Sequence, residues 1–331
     1  MHGVKRVHQS SEAIQARKLK EQAKITEYLA LANDVLSRKT SEDWSLEAFR
    51  LTTRLLRTNP EFYTVWNYRR NICLQGIFPN SSPEAIYELI CEDLVFTMNA
   101  LKVHPKVYWI WNHRRWCLNH VPEGPNESDL QGWKKASWER ELAVVEKILD
   151  ADARNFHAWS YRRYVLASMP VSRTEESELA YTAKKIESNF SNFSAWHQRS
   201  KVYSSLCESG KLQFDQFKKQ ELELVRNAMY TDPDDQSVWI YHRWLMGAGD
   251  DSELLLQEIT AIQELLDEQP DSKWCMECIL HYKLLLLQKH STIVDVKAVS
   301  EECQTLLKQL KAIDPYRRQR YDDLAAAVLR L

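Results

Sequence analysis

The chain has 331 residues, a net charge of −2 from 44 basic and 46 acidic side chains, and only 7 glycines beside 12 tryptophans. That balance supplies no general field for nucleic acid or membrane surfaces, and so few glycines argue against hairpin-rich β folds and glycine-rich phosphate loops. No apolar run approaches the ~18 residues of a membrane span. The opening MHGVKRVHQSSEAIQARKLKEQAK lacks the apolar core of a secretory signal. The 7 cysteines are irregularly spaced, so a soluble, cytoplasmic protein is expected, with neither transmembrane segment nor nucleic-acid partner.

In chain order, residues 12–58 are predicted to form a first helical hairpin. An internal repeat follows. WNYRR begins at Trp66, WNHRR at Trp111, WSYRR at Trp159, the weaker WHQRS at Trp196 and the shifted WIYHRW at Trp239, in steps of 45, 48, 37 and 43 residues. An arginine stands three after the tryptophan in four copies (Arg69, Arg114, Arg162, Arg199) and four after in the fifth (Arg243). Both offsets place the pair on one helix face. An aromatic stands three before it (Tyr63, Tyr108, Phe156, Phe193), and Pro60, Pro105 and Pro233 stand six before. Each unit therefore reads as a break followed by a helix.

Gly76, Gly124, Gly210 and the pair Gly247 and Gly249, with Met169-Pro170, are predicted to close these helices. Amphipathic first helices are predicted at 83–101, 134–150, 175–188, 215–230 and 252–267. Ser82-Pro83 reads as an N-cap with proline at the first helical position, and Ser172 with Glu175 as a capping box. Residues 119–132 read as a surface loop, and helices continue through 252–330. The expected architecture is all-α: one repeat domain over 1–331, with stacked antiparallel hairpins around a continuous core.

The ladder of tryptophan and arginine reads as structural, with Asp150, Asp152, Asp232 and Asp234 as expected arginine partners near the breaks. Cys275, Cys278 and His281 have part of a zinc-ligand spacing, but no second pair completes four ligands, so the cysteines read as buried helix residues. No metal site is expected within this chain. In HPKVYWIW (104–111), Lys106 reads on the residues alone as a solvated surface lysine, in a setting that could also serve an anion. Pro105 starts a helix, Lys106 projects from its N-terminal end, where free amides favour anions, and Tyr108 adds a hydroxyl donor.

These repeats resemble those of protein prenyltransferase α subunits, whose pattern is near Pro-x-x-(Tyr/Phe)-x-x-Trp-(Asn/His)-x-Arg-Arg. The likeness is strong over residues 50–250. The opening MHG, SNFSAWHQRS (191–200), TDPDDQSVWIYHRW (231–244) and IDPYRRQRYDDL (313–324) resemble the Rab geranylgeranyltransferase (type II) branch in its compact fungal form.

That resemblance implies a crescent-shaped right-handed superhelix of helical hairpins around a separate β subunit. The heterodimer would carry geranylgeranyl from its diphosphate to C-terminal cysteines of Rab GTPases presented by an escort protein, in the service of vesicle transport. The β subunit would hold Zn2+ and the lipid. The resemblance also implies that Lys106 and Tyr108 are catalytic, with Lys106 binding the diphosphate. By the same likeness, His2 is a candidate contact to the β subunit's zinc. His157, in RNFHAW, is a candidate interface residue or a satisfied structural histidine.

Two alternatives remain at this point. One is the α subunit shared by farnesyltransferase and type I geranylgeranyltransferase. In that branch a glutamine reads a peptide carboxylate where Trp109 stands here, and an indole cannot replace it. The other is a non-enzymatic helical-repeat adaptor, whose 34-residue period does not fit these steps.

Overall fold

The structure, a computed structural model, describes residues 10–212 and 214–330. Among them the chain forms fifteen α-helices and no strand. They fall into two compact units, Met1–Ser172 and Arg173–Leu331. The first unit holds α1 (Ser11–Thr40), α2 (Leu46–Thr58), α3 (Tyr63–Ile72), α4 (Pro83–Val103), α5 (Tyr108–Asn119), α6 (Gly132–Ala151) and α7 (Phe156–Ser168). The second holds α8 (Glu175–Ser188), α9 (Phe193–Glu208), α10 (Phe214–Thr231), α11 (Gln236–Met246), α12 (Ser252–Glu268), α13 (Lys273–Lys289), α14 (Val296–Ile313) and α15 (Arg318–Val328).

Consecutive helices pack as hairpins: α2 with α3, α4 with α5 and α6 with α7 in the first unit, and α8 with α9 through α14 with α15 in the second. The second helices also pack on one another, α5 between α3 and α7 in one unit and α11 between α9 and α13 in the other. All five predicted first helices are present, within a few residues of their expected bounds. Residues 12–58 form α1 and α2, and α2 packs on α3 as well as on α1, so it is also the first helix of the Trp66 hairpin.

The repeat has a simple physical cause. Each repeat tryptophan is at most 3% exposed. Its indole N–H donates to the carbonyl six residues earlier: Trp66 to Pro60 at 2.8 Å, Trp111 to Pro105 at 3.0 Å, Trp159 to Ala153 at 2.9 Å, Trp196 to Phe190 at 2.7 Å and Trp239 to Pro233 at 2.8 Å. A buried indole requires such an acceptor. The break before each helix supplies it, with proline or without.

Arg162 donates to Glu146 on the first helix of its own hairpin at 3.1 Å, while three of the arginines bind carboxylates on the first helix of the next hairpin. Arg69 forks onto Asp93 at 3.0 and 2.5 Å, Arg114 onto Glu141 at 2.7 and 2.5 Å, and Arg199 onto Glu221 at 2.9 and 2.6 Å. The remaining guanidinium nitrogen donates to a threonine hydroxyl and a carbonyl of its own hairpin: Thr52 and Phe49, Thr97 and Leu94, Thr182 and Leu179. Bidentate pairing of this kind offsets the cost of burying both charges. It places the rungs away from the expected aspartates at the breaks. Asp152 and Asp232 instead accept backbone amides of Arg154 and Asp234, closing the turns. In the fifth copy the rung belongs to His242, three after Trp239, which binds Glu258 at 2.9 Å. Arg243 lies outside it, since only the three-residue offset aims at the next hairpin.

Ser82 caps Ala85 with Pro83 at the first position, and Met169 ends α7, as predicted. Gly210 and Gly247 follow their helices at φ 70° and 61°, where a side chain would be strained. Two predicted devices differ. The α8 cap is Thr174, which accepts from Ser177, and not Ser172, because the helix begins only at Glu175. Gly76 lies within a π-helical turn (Cys73–Ile77) that extends α3, and a Cβ there would stand 2.0 Å from the Trp44 carbonyl oxygen. Its role is close approach, not termination.

Candidate functional site

In the first unit, the turn between α4 and α5 carries Lys106. Its backbone is pinned at Pro105, whose carbonyl accepts from both the Trp111 indole at 3.0 Å and the Asn155 amide at 3.5 Å. Asn155 is itself buried, and its Oδ1 accepts from the His157 and Ala158 backbone amides at 3.0 and 3.2 Å, capping α7. One side chain thus ties the start of α7 to the turn before α5. Asn155 was missed from sequence; its only signal was its place in RNFHAW, immediately before a repeat helix.

Three of the sequence candidates come together here. The Tyr108 ring meets the His157 ring edge-on, with centroids 4.3 Å apart, and Phe156 lies 6.4 Å from Tyr108. His157 is 6% exposed. Burial lowers its pKa, and the nearby Lys106 charge lowers it further, so the imidazole is neutral at neutral pH. Lys106 and Tyr108 are exposed, and Lys106 has no carboxylate partner among the described residues. Val107, which precedes α5, offers no side-chain cap, unlike Asn155 before α7. An unpaired ammonium, uncapped helix amides and a phenol at one helix start form an arrangement suited to an anion. His2 lies outside the described residues.

The aromatics three before the first four repeat tryptophans are solvent-facing: Tyr63, Tyr108, Phe156 and Phe193 are 46–58% exposed. Each is the first residue of its helix, where the Cα–Cβ bond tilts toward the N-terminus and so out of the hairpin end. Trp109 is half-buried against Tyr63, with ring centroids 5.2 Å apart.

Cys275 and Cys278 are buried in α13, and burial pushes the Cys278 thiol up to about 12, as befits inert packing residues. The ligand atoms of Asp93, His113 and Cys117 lie within 4.8 Å of one another. Both Asp93 oxygens already bind Arg69, and His113 Nε2 lies 2.8 Å from one of them, while Arg70 Nε faces its Nδ1 at 3.3 Å. A guanidinium fills the place a cation would take, so this cluster is a rung of the ladder.

Five stretches of the chain, 45–76, 90–121, 138–169, 175–206 and 218–248, match the protein prenyltransferase alpha subunit repeat. Each covers most of one hairpin, from α2/α3 to α10/α11. The chain is 38% identical to geranylgeranyl transferase type-2 subunit alpha of Schizosaccharomyces pombe, across 98% of this chain and 97% of the relative. The chain belongs to the protein prenyltransferase α-subunit family. A second fungal relative, geranylgeranyl transferase type-2 subunit alpha of Candida albicans, is 33% identical over 98% of this chain and 97% of its own length. A solved structure, Candida albicans protein geranylgeranyltransferase-I complexed with GGPP, superposes with a TM-score of 0.70 over 92% of this chain and 91% of that one, at 21% identity. At that identity it shows the fold. Beyond the matched repeats of this prenyltransferase α subunit, the Tyr321 hydroxyl donates to buried Glu277 at 2.7 Å and lies 3.0 Å from Asp314.

Proposed function

We infer that this chain is the α subunit of a heterodimeric type-2 geranylgeranyl transferase, active only beside a β subunit. The observation that carries the reading is the 38% identity to a fungal type-2 α subunit over nearly the whole of both chains. We propose Rab GTPases as the protein substrates, delivered by an escort protein in the cytoplasm. No helix among the described residues is long and apolar enough to cross a membrane.

The departing diphosphate builds negative charge, and groups aimed at that charge accelerate the step. In this proposal Lys106 reaches from its pinned turn to the diphosphate held in the β subunit. Tyr108 stands two residues on with a hydroxyl donor. His157, neutral and buried against Tyr108, holds the phenol ring in place at the subunit interface. Zn2+ belongs to the β subunit, where it would lower the pKa of the target thiol.

The reading is tested with this chain co-purified with a type-2 β subunit. Labelled geranylgeranyl should pass from its diphosphate to a Rab protein only when escort protein is added. Escort-independent transfer to a short CaaX peptide would assign the chain to the type I branch instead.

A further inference from the structure

We propose that the groove between α12 and α14 is a docking site for a lysine- and arginine-rich amphipathic helix of a partner protein. The groove encloses about 790 Å³. Apolar Ile259 and Leu306 line it beside Lys283 of α13, together with Glu264 and Asp267 from α12 and Glu301 and Glu302 from α14. Glu302 is paired with Lys283, and Asp267 accepts from the Gln263 amide at 2.8 Å. Glu264, Asp267 and Glu301 have no cationic partner among the described residues.

The charge is segregated. Between Arg243 and Lys273 the chain carries eight carboxylates and no lysine, arginine or histidine, although its overall net charge is only −2. Two of the eight are spent internally: Glu258 on His242 and Arg226, and Asp250 on Lys289. The rest leave α12 with a surface of one sign. Its field reaches α10, where the Tyr230 hydroxyl is held above its ordinary pKa by burial and then by Glu264 and Glu268.

With Lys283 neutralised by Glu302, an apolar lining beside three carboxylates that lack a cationic partner among the described residues sets two requirements on an occupant: an apolar stripe to enter the groove and flanking cations to meet the carboxylates. A basic amphipathic helix meets both. An anionic lipid surface or an acidic segment would be repelled. The inference stands apart from the Lys106 turn, which lies in the other unit.

The test uses the intact heterodimer and a labelled 18-residue peptide with leucines on one helical face and lysines on the flanks, followed by fluorescence anisotropy. The expected result is saturable binding that weakens with salt and falls at least about tenfold in the double variant Glu264→Lys, Glu301→Lys. Both positions are exposed, so helix content and prenyl transfer should not change. Equal binding by a scrambled peptide of the same composition would reduce the effect to bulk charge and overturn the proposal. So would unaltered binding to the double variant, or no binding at all. A concentration-dependent dimer abolished by the double variant would give the groove to a second copy and overturn it as well.

Discussion

Two cationic regions of the first unit make opposite use of the same repeat. In the rungs, Arg69 and Arg114 are 2% exposed and every guanidinium edge is occupied by a carboxylate, a hydroxyl or a carbonyl. In the turn before α5, Lys106 is exposed and has no carboxylate partner among the described residues, though Trp111 and Asn155 fix the backbone beneath it. The fold consumes the first kind of charge and presents the second. A cation whose partners all lie within the chain holds hairpins together; a cation on a rigid turn with none is available to a ligand.

That contrast can be broken from either side. The largest expected effect is on a rung. Asp93→Ala leaves Arg69 and His113 buried without their carboxylate and should cost roughly 3–5 kcal/mol, read from urea unfolding. Little change would mean that the rungs do not carry the fold. A smaller effect follows from pH. His113 is fully buried, and burial lowers its pKa from 6.5 to about 4, despite the hydrogen bond and charge of Asp93. The unfolded chain therefore binds this proton first. The stability that depends on a neutral His113 is complete above pH 6.5 and is lost as pH falls from 6.5 toward 4, by about 2 kcal/mol at pH 5. His281 shifts in the same direction, down to about 4, and adds to the slope. His113→Gln should flatten the profile in that window without abolishing it. The smallest effect concerns the turn. Asn155→Ala should lower the transfer rate about tenfold, through looser positioning of Lys106. Asn155→Asp keeps the α7 cap but cannot donate to Pro105, so it should recover stability and not rate.

Much of the fold was legible because the hydrophobic period, the prolines and the tryptophans all report local geometry. Pro83, Met169 and Gly247 act where they were expected to act. The rung partners were harder to read, since Asp93 and Glu141 lie 24 and 27 residues after their arginines, a tertiary relation that no helical period encodes. A signal did exist: Thr52, Thr97 and Thr182 each precede the rung arginine by 17 residues. The repeated triplet of arginine, threonine and a following acid could have assigned the rungs and set Arg243 aside. The site was legible only in part. The family resemblance of HPKVYWIW pointed to Lys106, but the buried clamp of Asn155 and the contact between Tyr108 and His157 arise from the packing of α5 against α7.

The most direct test is Lys106→Ala in the purified heterodimer, with single-turnover prenyl transfer and melting temperature measured on the same sample. The expected result is a rate lower by about 100-fold, with an unchanged melting temperature and an intact heterodimer. An unchanged rate would remove Lys106 from the chemistry. A rate loss accompanied by a large drop in melting temperature would place Lys106 among the structural cations and contradict the division between rungs and turn.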